Sequence, residues 1–237
     1  MGWSRGTLLG FDLETTGVDP MADLPVQVAL VTVDTEGRGE RTVFLVDPGR
    51  DVPEAARAVH GISSEQVREE GRTLGDAARV IHGVLSGAQE ALVPVVVMNA
   101  SYDITIASRL FAAFGLSPVE WQALVDPLVI DRKVDRFRSG KRRLDALCAT
   151  YGVALGSAHD AGHDADATIA LARALAARYP ELDRYGIKEL TRLEQDWHRD
   201  WATEFDRWRR SKGQPGLAPG ELCWPVRAPE GADLPPS

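Results

Sequence analysis

Asp12 and Glu14 stand one residue apart at the end of an apolar run, LLGFDLETTG. Alternate residues of a strand point to the same side, so a strand here sets two carboxylates on one face. At a separation of about 6 Å their repulsion is roughly 3 kcal/mol for an effective dielectric near 20. Burial adds the cost of taking charge out of water. A strand that ends in solvent tolerates such a pair. A bound divalent cation reverses the local electrostatics and favours it. The second chemistry needs further carboxylates. VVVMNASYDITIASRL places Asp103 in the first turn of a helix that follows a strand, and SAHDAGHDADATIALARAL gathers His159, Asp160, His163, Asp164 and Asp166 at another helix start. Acids favour helix N-termini, so capping alone accounts for each in isolation. Helical phase then separates two of them. Asp164 lies seven residues before Leu171 and shares its apolar face, whereas Asp166 aligns with Arg173 on the polar side. A carboxylate on a buried face with no Arg or Lys beside it points to a metal.

The elements that must position these residues follow from apolar period and turn residues. Strands are expected over Thr7–Glu14, Val26–Asp34 and Arg41–Pro48, with a turn at Glu36-Gly37. Two more are expected over Ala91–Met98 and Ala123–Ile130. Ser63 and Gln66 form a capping-box signature, and helices are expected over Leu74–Leu85, Tyr102–Gly115, Arg143–Tyr151 and Asp164–Arg178. The order is that of one mixed five-stranded α/β sheet flanked by helices, with the first strand central. Ile187, Leu190, Leu193, Trp197, Trp201, Phe205 and Trp208 recur at steps of three and four, one stripe of a long amphipathic helix. From Gly213 to Ser237, ten of 25 residues are Pro or Gly, which predicts an extended, partly mobile tail. The expected division is a domain over 1–180, an amphipathic helix over 181–212 and a tail over 213–237.

Composition limits the classes of function. No apolar run reaches the length of a membrane span, and the N-terminus lacks the plan of a signal peptide. Cys148 and Cys223 make no disulfide framework, so a cytoplasmic, reducing setting is expected. The net charge of −8 is not that of a typical nucleic-acid binder, but seven of the twelve residues from Arg132 to Arg143 are basic. Taken alone, that cluster reads as a solvated loop.

The sequence resembles the DEDDh-type 3′–5′ exonuclease superfamily, that of the epsilon proofreading subunit of bacterial DNA polymerase III and of ribonuclease T. Asp12-Leu13-Glu14 matches its D-x-E motif, Asn99 to Asp103 its N-x-x-x-D motif, and His159 to Asp164 its H-x-x-x-x-D motif. VHGISSEQV at Val59–Val67 is a further similarity, and the likeness spans about residues 7–178. Met98 and Tyr102 stand where many members carry His and Phe. The resemblance implies a ribonuclease H-like fold and hydrolysis from the 3′ end of single-stranded nucleic acid, with DNA the expected substrate and RNA ends the alternative, releasing nucleoside 5′-monophosphates.

It also implies roles. Two cations, Mg²⁺ or Mn²⁺, would sit on Asp12, Glu14, Asp103 and Asp164, with Asp12 bridging both and Asp103 acting through water; hard cations prefer such oxygen ligands. His159 would be the general base, a role suited to a side chain that titrates near neutrality. Thr15 and Thr16 would meet the terminal nucleotide, Leu13 and Asn99 would contact the substrate, and two readings are open for His60, an approach to the substrate sugar or a loop histidine with no role. Arg138, Lys141 and Arg142 would meet phosphates, because such contacts supply sequence-independent affinity. Three uses are open to the Trp-striped helix: packing on its own chain, a homodimer contact, or attachment to a DNA polymerase. Own-chain packing is the expectation.

Overall fold

The computed structural model describes residues 2–156 and 160–227. Its first three strands, β1 (Leu8–Thr15), β2 (Pro25–Val33) and β3 (Arg41–Asp47), form the expected antiparallel meander. Two short helices follow, α1 (Glu54–His60) and α2 (Ser64–Glu70), the second opened by the Ser63–Gln66 capping box. Then come β4 (Arg72–Thr73), α3 (Leu74–Glu90), β5 (Val95–Val96) and α4 (Ala100–Ala113). The chain continues through β6 (Leu124–Val125), α5 (Pro127–Val134), α6 (Leu144–Tyr151), α7 (Ala161–Arg178) and α8 (Ile187–Ser211). The sheet has six strands rather than five, in the order β4-β3-β2-β1-β5-β6. The extra one, β4, adds two residues parallel to β3 at one edge. β1 is central, antiparallel to β2 and parallel to β5.

Three expectations change. Residues 123–130 are a strand only over Leu124–Val125; Asp126 then caps α5 through Leu128 N–H (2.9 Å), and Pro127 occupies the first turn. Proline there loses no helical hydrogen bond and presets φ, so the Asp-Pro pair starts a helix instead of continuing a strand. Residues 91–98 pair only over Val95–Val96, because Ala91 ends α3, Leu92 takes a positive φ of 52° and Pro94 has no N–H to give. The described part of the tail, 213–227, is not a loose extension. It forms a 3-10 turn over Pro219–Leu222 and buries Trp224 in the core that also holds residues of α3 and α4, because a large aromatic side chain gains much from burial.

α8 packs on its own chain, as expected, through Leu190, Thr191, Glu194, His198 and Ala202, while Trp201, Phe205 and half-exposed Trp208 stack in series toward its end. Among the described residues no helix is long and apolar enough to cross a membrane.

The pleat of β1 sets up everything that follows. Leu9, Phe11 and Leu13 enter a core shared with α3 and α4, while Leu8 enters a second core shared with α5, α6 and α7. Asp12 and Glu14 share the parity of Leu8 and of Gly10, so they project toward α7. Gly10 allows that helix to close on the strand: a Cβ there would lie 2.8 Å from Ala165 O and 3.0 Å from Ile169 Cδ1. Gly10→Ala is therefore expected to cost about 1–3 kcal/mol as α7 is pushed outward. Urea unfolding would show it as a lower midpoint at unchanged slope.

Candidate active site

Three elements bring four carboxylates together at the C-terminal end of β1. The strand supplies Asp12 and Glu14, and its register shifts against β2 between Glu14 and Thr15, which bends the strand end. α7 supplies Asp164 from its first turn, entered through Asp160, whose side chain accepts from His163 N–H at 3.0 Å. Oxygens of Asp12, Glu14 and Asp164 all lie within 4.8 Å of one another. α4 supplies Asp103, which is 4% exposed and accepts from Leu13 N–H at 3.1 Å. That bond ties the fourth acid to the backbone between the first two.

The charges oppose one another. Burial first, then Asp103, Glu14 and Asp164, hold the Asp12 carboxyl well above the ordinary carboxylate range. Burial and then Asp164 and Asp160 push Glu14 up to about 7. Asp103 is likewise raised by burial, which outweighs the N–H it accepts from Leu13. Among the described residues no Lys or Arg is paired with Asp12, Glu14 or Asp103. An all-carboxylate donor set with raised proton affinities fits a hard divalent cation, which takes oxygen ligands and removes the mutual repulsion.

The other expected residues divide into two groups. Leu13 is buried beside the acids. Thr15 Oγ1 donates to Gly17 O (2.8 Å) and lies 2.7 Å from the Tyr102 hydroxyl. Thr16 Oγ1 donates to Asp23 and accepts from Leu24 N–H and Arg50. Both threonines are buried, so their hydroxyls brace the turn after β1. Asn99 takes the left-handed conformation (φ 59°) at the entry to α4. His60 ends α1, and its Nδ1 accepts from Ile62 N–H.

The basic cluster divides: Lys133, Arg136, Lys141 and Arg143 are exposed, whereas Arg138 and Arg142 turn inward. Arg138 and Arg142 converge on Asp131, which is fully buried, and donate as well to carbonyls of their own loop. Their guanidinium groups hold that loop and are not presented to a phosphate. Arg136 pairs with Glu204 and Arg143 with Asp145, and Arg132 stacks on the Trp201 ring. Lys141 is exposed. His159 lies outside the described residues.

Sequence reasoning missed the buried acids Asp126, Asp131 and Glu194, together with Trp224. Only the Asp-Pro helix start signalled any of them. Asp131 and Glu194 sit on helices whose burial depends on distant partners.

A family model described as Exonuclease matches residues 9–172, and the chain belongs to that family. DNA polymerase III subunit epsilon of Rickettsia conorii is 28% identical over 147 residues, 60% of this chain and 60% of that protein. Exodeoxyribonuclease I of Escherichia coli is 27% identical over 205 residues, 78% of this chain and 43% of that protein. The chain thus spans less than two thirds of the curated relatives it matches. A structure of exonuclease I superposes with a TM-score of 0.65 at 28% identity, covering 76% of this chain and 43% of that one. The E. coli enzyme in complex with a dT13 oligonucleotide gives 0.63 at 27% identity over the same shares.

The raised Glu14 carboxyl has a consequence for the cation-free protein. Below pH 4.5 the folded and unfolded chains both hold its proton; above it the unfolded chain releases the proton while the folded one keeps it to about pH 7. Stability at this site therefore falls across that window, by on the order of 3 kcal/mol. In EDTA, Glu14→Gln should be more stable than wild type at pH 8. The difference should narrow to under about 1 kcal/mol at pH 5 in urea unfolding, because pH 5 lies only just above the unfolded carboxyl's titration and little of the window has been crossed.

Proposed function

For a chain of the exonuclease family with this acidic cluster, we propose a metal-dependent 3′–5′ exonuclease that acts on single-stranded DNA and releases nucleoside 5′-monophosphates. The observation that carries the proposal is the approach of Asp12, Glu14 and Asp164 to within 4.8 Å of one another, with Asp103 anchored alongside. Asp12, Glu14, Asp103 and Asp164 would hold two cations, Mg²⁺ or Mn²⁺. Bound there, they supply positive charge for the attacking and leaving oxygens of the phosphodiester.

The remaining chemistry falls to the chain. His159 takes a proton from the attacking water as the new P–O bond forms; the bond to the 3′ oxygen breaks, and that oxygen takes a proton from solvent water. The braced turn of Thr15 and Thr16, with Leu13, His60 and Asn99, would receive the terminal nucleotide. Lys141 is the member of the expected phosphate-contacting trio that stays exposed, while Arg138 and Arg142 would keep its loop in place. DNA is preferred as substrate because the similar proteins are DNA polymerase III subunits and an exodeoxyribonuclease. Association with a DNA polymerase is proposed on the likeness to the epsilon subunit alone.

Chelation should abolish hydrolysis of 5′-labelled single-stranded DNA, and Mg²⁺ or Mn²⁺ should restore it. Asp12→Ala should lose more than about a hundredfold in rate. His159→Ala should lose most of the rate with cation binding intact, and His163→Ala should keep most of it. RNA of the same sequence should be cut more slowly. Full turnover in excess EDTA, or rapid cutting of a circular strand, would overturn the proposal.

A further inference from the structure

The family match stops at residue 172, yet the chain beyond it hydrogen-bonds to α4, the helix that bears Asp103, and to Asp126, which accepts from the turn into that helix. The connection runs through Asp126, which is 1% exposed. Its carboxylate accepts four donors: Asn99 N–H at 3.0 Å, Ala100 N–H at 2.9 Å, Leu128 N–H at 2.9 Å and the Trp224 indole N–H at 3.3 Å. Its own N–H donates to Glu194 on α8 at 2.8 Å. Asn99 and Ala100 form the left-handed turn into α4, and Asp103 lies in the first turn of that helix. A second link lies alongside: Arg227 N–H donates to Thr105 of α4, and Thr105 bonds back to Ser101 O. α8 also closes the sheet edge, where Thr191 Oγ1 accepts from Leu124 N–H of β6 at 2.9 Å.

We propose that residues 187–227 are a working part of the acidic site, with Glu194 and Trp224 fixing Asp126, and Asp126 setting the turn that aims Asp103. All three are positioning residues for cation binding. The physical reason is geometric. A left-handed non-glycine residue such as Asn99 is held only where its surroundings over-determine it. Here one buried carboxylate satisfies both N–H groups of the turn. Loosening that carboxylate lets α4 rotate, and Asp103 moves with it relative to Asp12 and Glu14. Packing of Trp224 in the core explains burial of its ring. It does not explain why the indole N–H points at the same oxygen that holds Ala100.

The inference rests on the cation reading of the site, and the test separates the two. In the full chain, Asp126→Asn replaces an acceptor oxygen with an NH₂ group that faces backbone donors. Trp224→Phe keeps a buried ring and removes the N–H. Glu194→Met fills the space and removes the acceptor. Mn²⁺ binding followed by electron paramagnetic resonance, the thermal midpoint, and kcat and KM on labelled single-stranded DNA would be compared. Asp126→Asn should weaken Mn²⁺ binding and lower kcat by about 10–100-fold, the scale of losing a direct outer-shell partner of a metal ligand, and the other two, one bond further away, should do so by about threefold to tenfold. KM for DNA should stay within about twofold, and added Mn²⁺ should recover part of the rate. Folded Trp224→Phe and Glu194→Met proteins with wild-type Mn²⁺ affinity and kcat, and only a lower thermal midpoint, would overturn the inference, even if Asp126→Asn failed to fold. A wild-type protein that bound no Mn²⁺ would overturn the cation reading itself.

Discussion

Mutual repulsion among carboxylates is the constraint on which this structure turns. Asp12, Glu14, Asp103 and Asp164 come from three separate elements and meet in a half-buried space where each raises the proton affinity of another. No such cluster forms by default, because charge removed from water without a counter-charge is costly. The fold must therefore supply the stability that the site withdraws. It does so through two apolar layers, one on each side of a central strand that is buried along nearly its whole length.

Rigid anchoring of the acids is the second requirement. Cation affinity depends on ligand separation, so each carboxylate needs a backbone that does not wander. β1 is paired on both sides, antiparallel to β2 and parallel to β5. α7 is drawn against it at Gly10, where no side chain intervenes. α4 is tied by the Leu13–Asp103 hydrogen bond at its start. The buried Arg138–Asp131–Arg142 group serves the loop before α6 in the same spirit: a basic-looking surface segment is held from beneath by one carboxylate. Net charge along a stretch of chain thus says little about which cations remain free to meet a substrate.

The C-terminal third changes character once its contacts are seen. Its first half covers the outer edge of the sheet, which would otherwise present unpaired backbone groups. Its end returns to the core through Trp224. A region beyond the family match is thereby joined, by hydrogen bonds among buried groups, to the elements that bear the acids.

The sequence alone determined the acids and the order of the main elements. A strand period of two places Asp12 and Glu14 on one face whatever surrounds them, and helical phase puts Asp164 on the buried side of its helix. Both are local rules that hold without knowledge of partners. The meander, the capping box at Ser63 and the long stripe of α8 were legible for the same reason. Only the tertiary structure decided what depends on distant pairing. It cut the strand at Asp126 by opening a helix there, turned Arg138 and Arg142 onto Asp131, and drew a Pro- and Gly-rich segment into the core through one tryptophan. Asp126 shows the division most clearly. Its neighbours in sequence reveal only a helix cap, but its four donors come from three regions of the chain, and a convergence of that kind has no period for a linear pattern to carry.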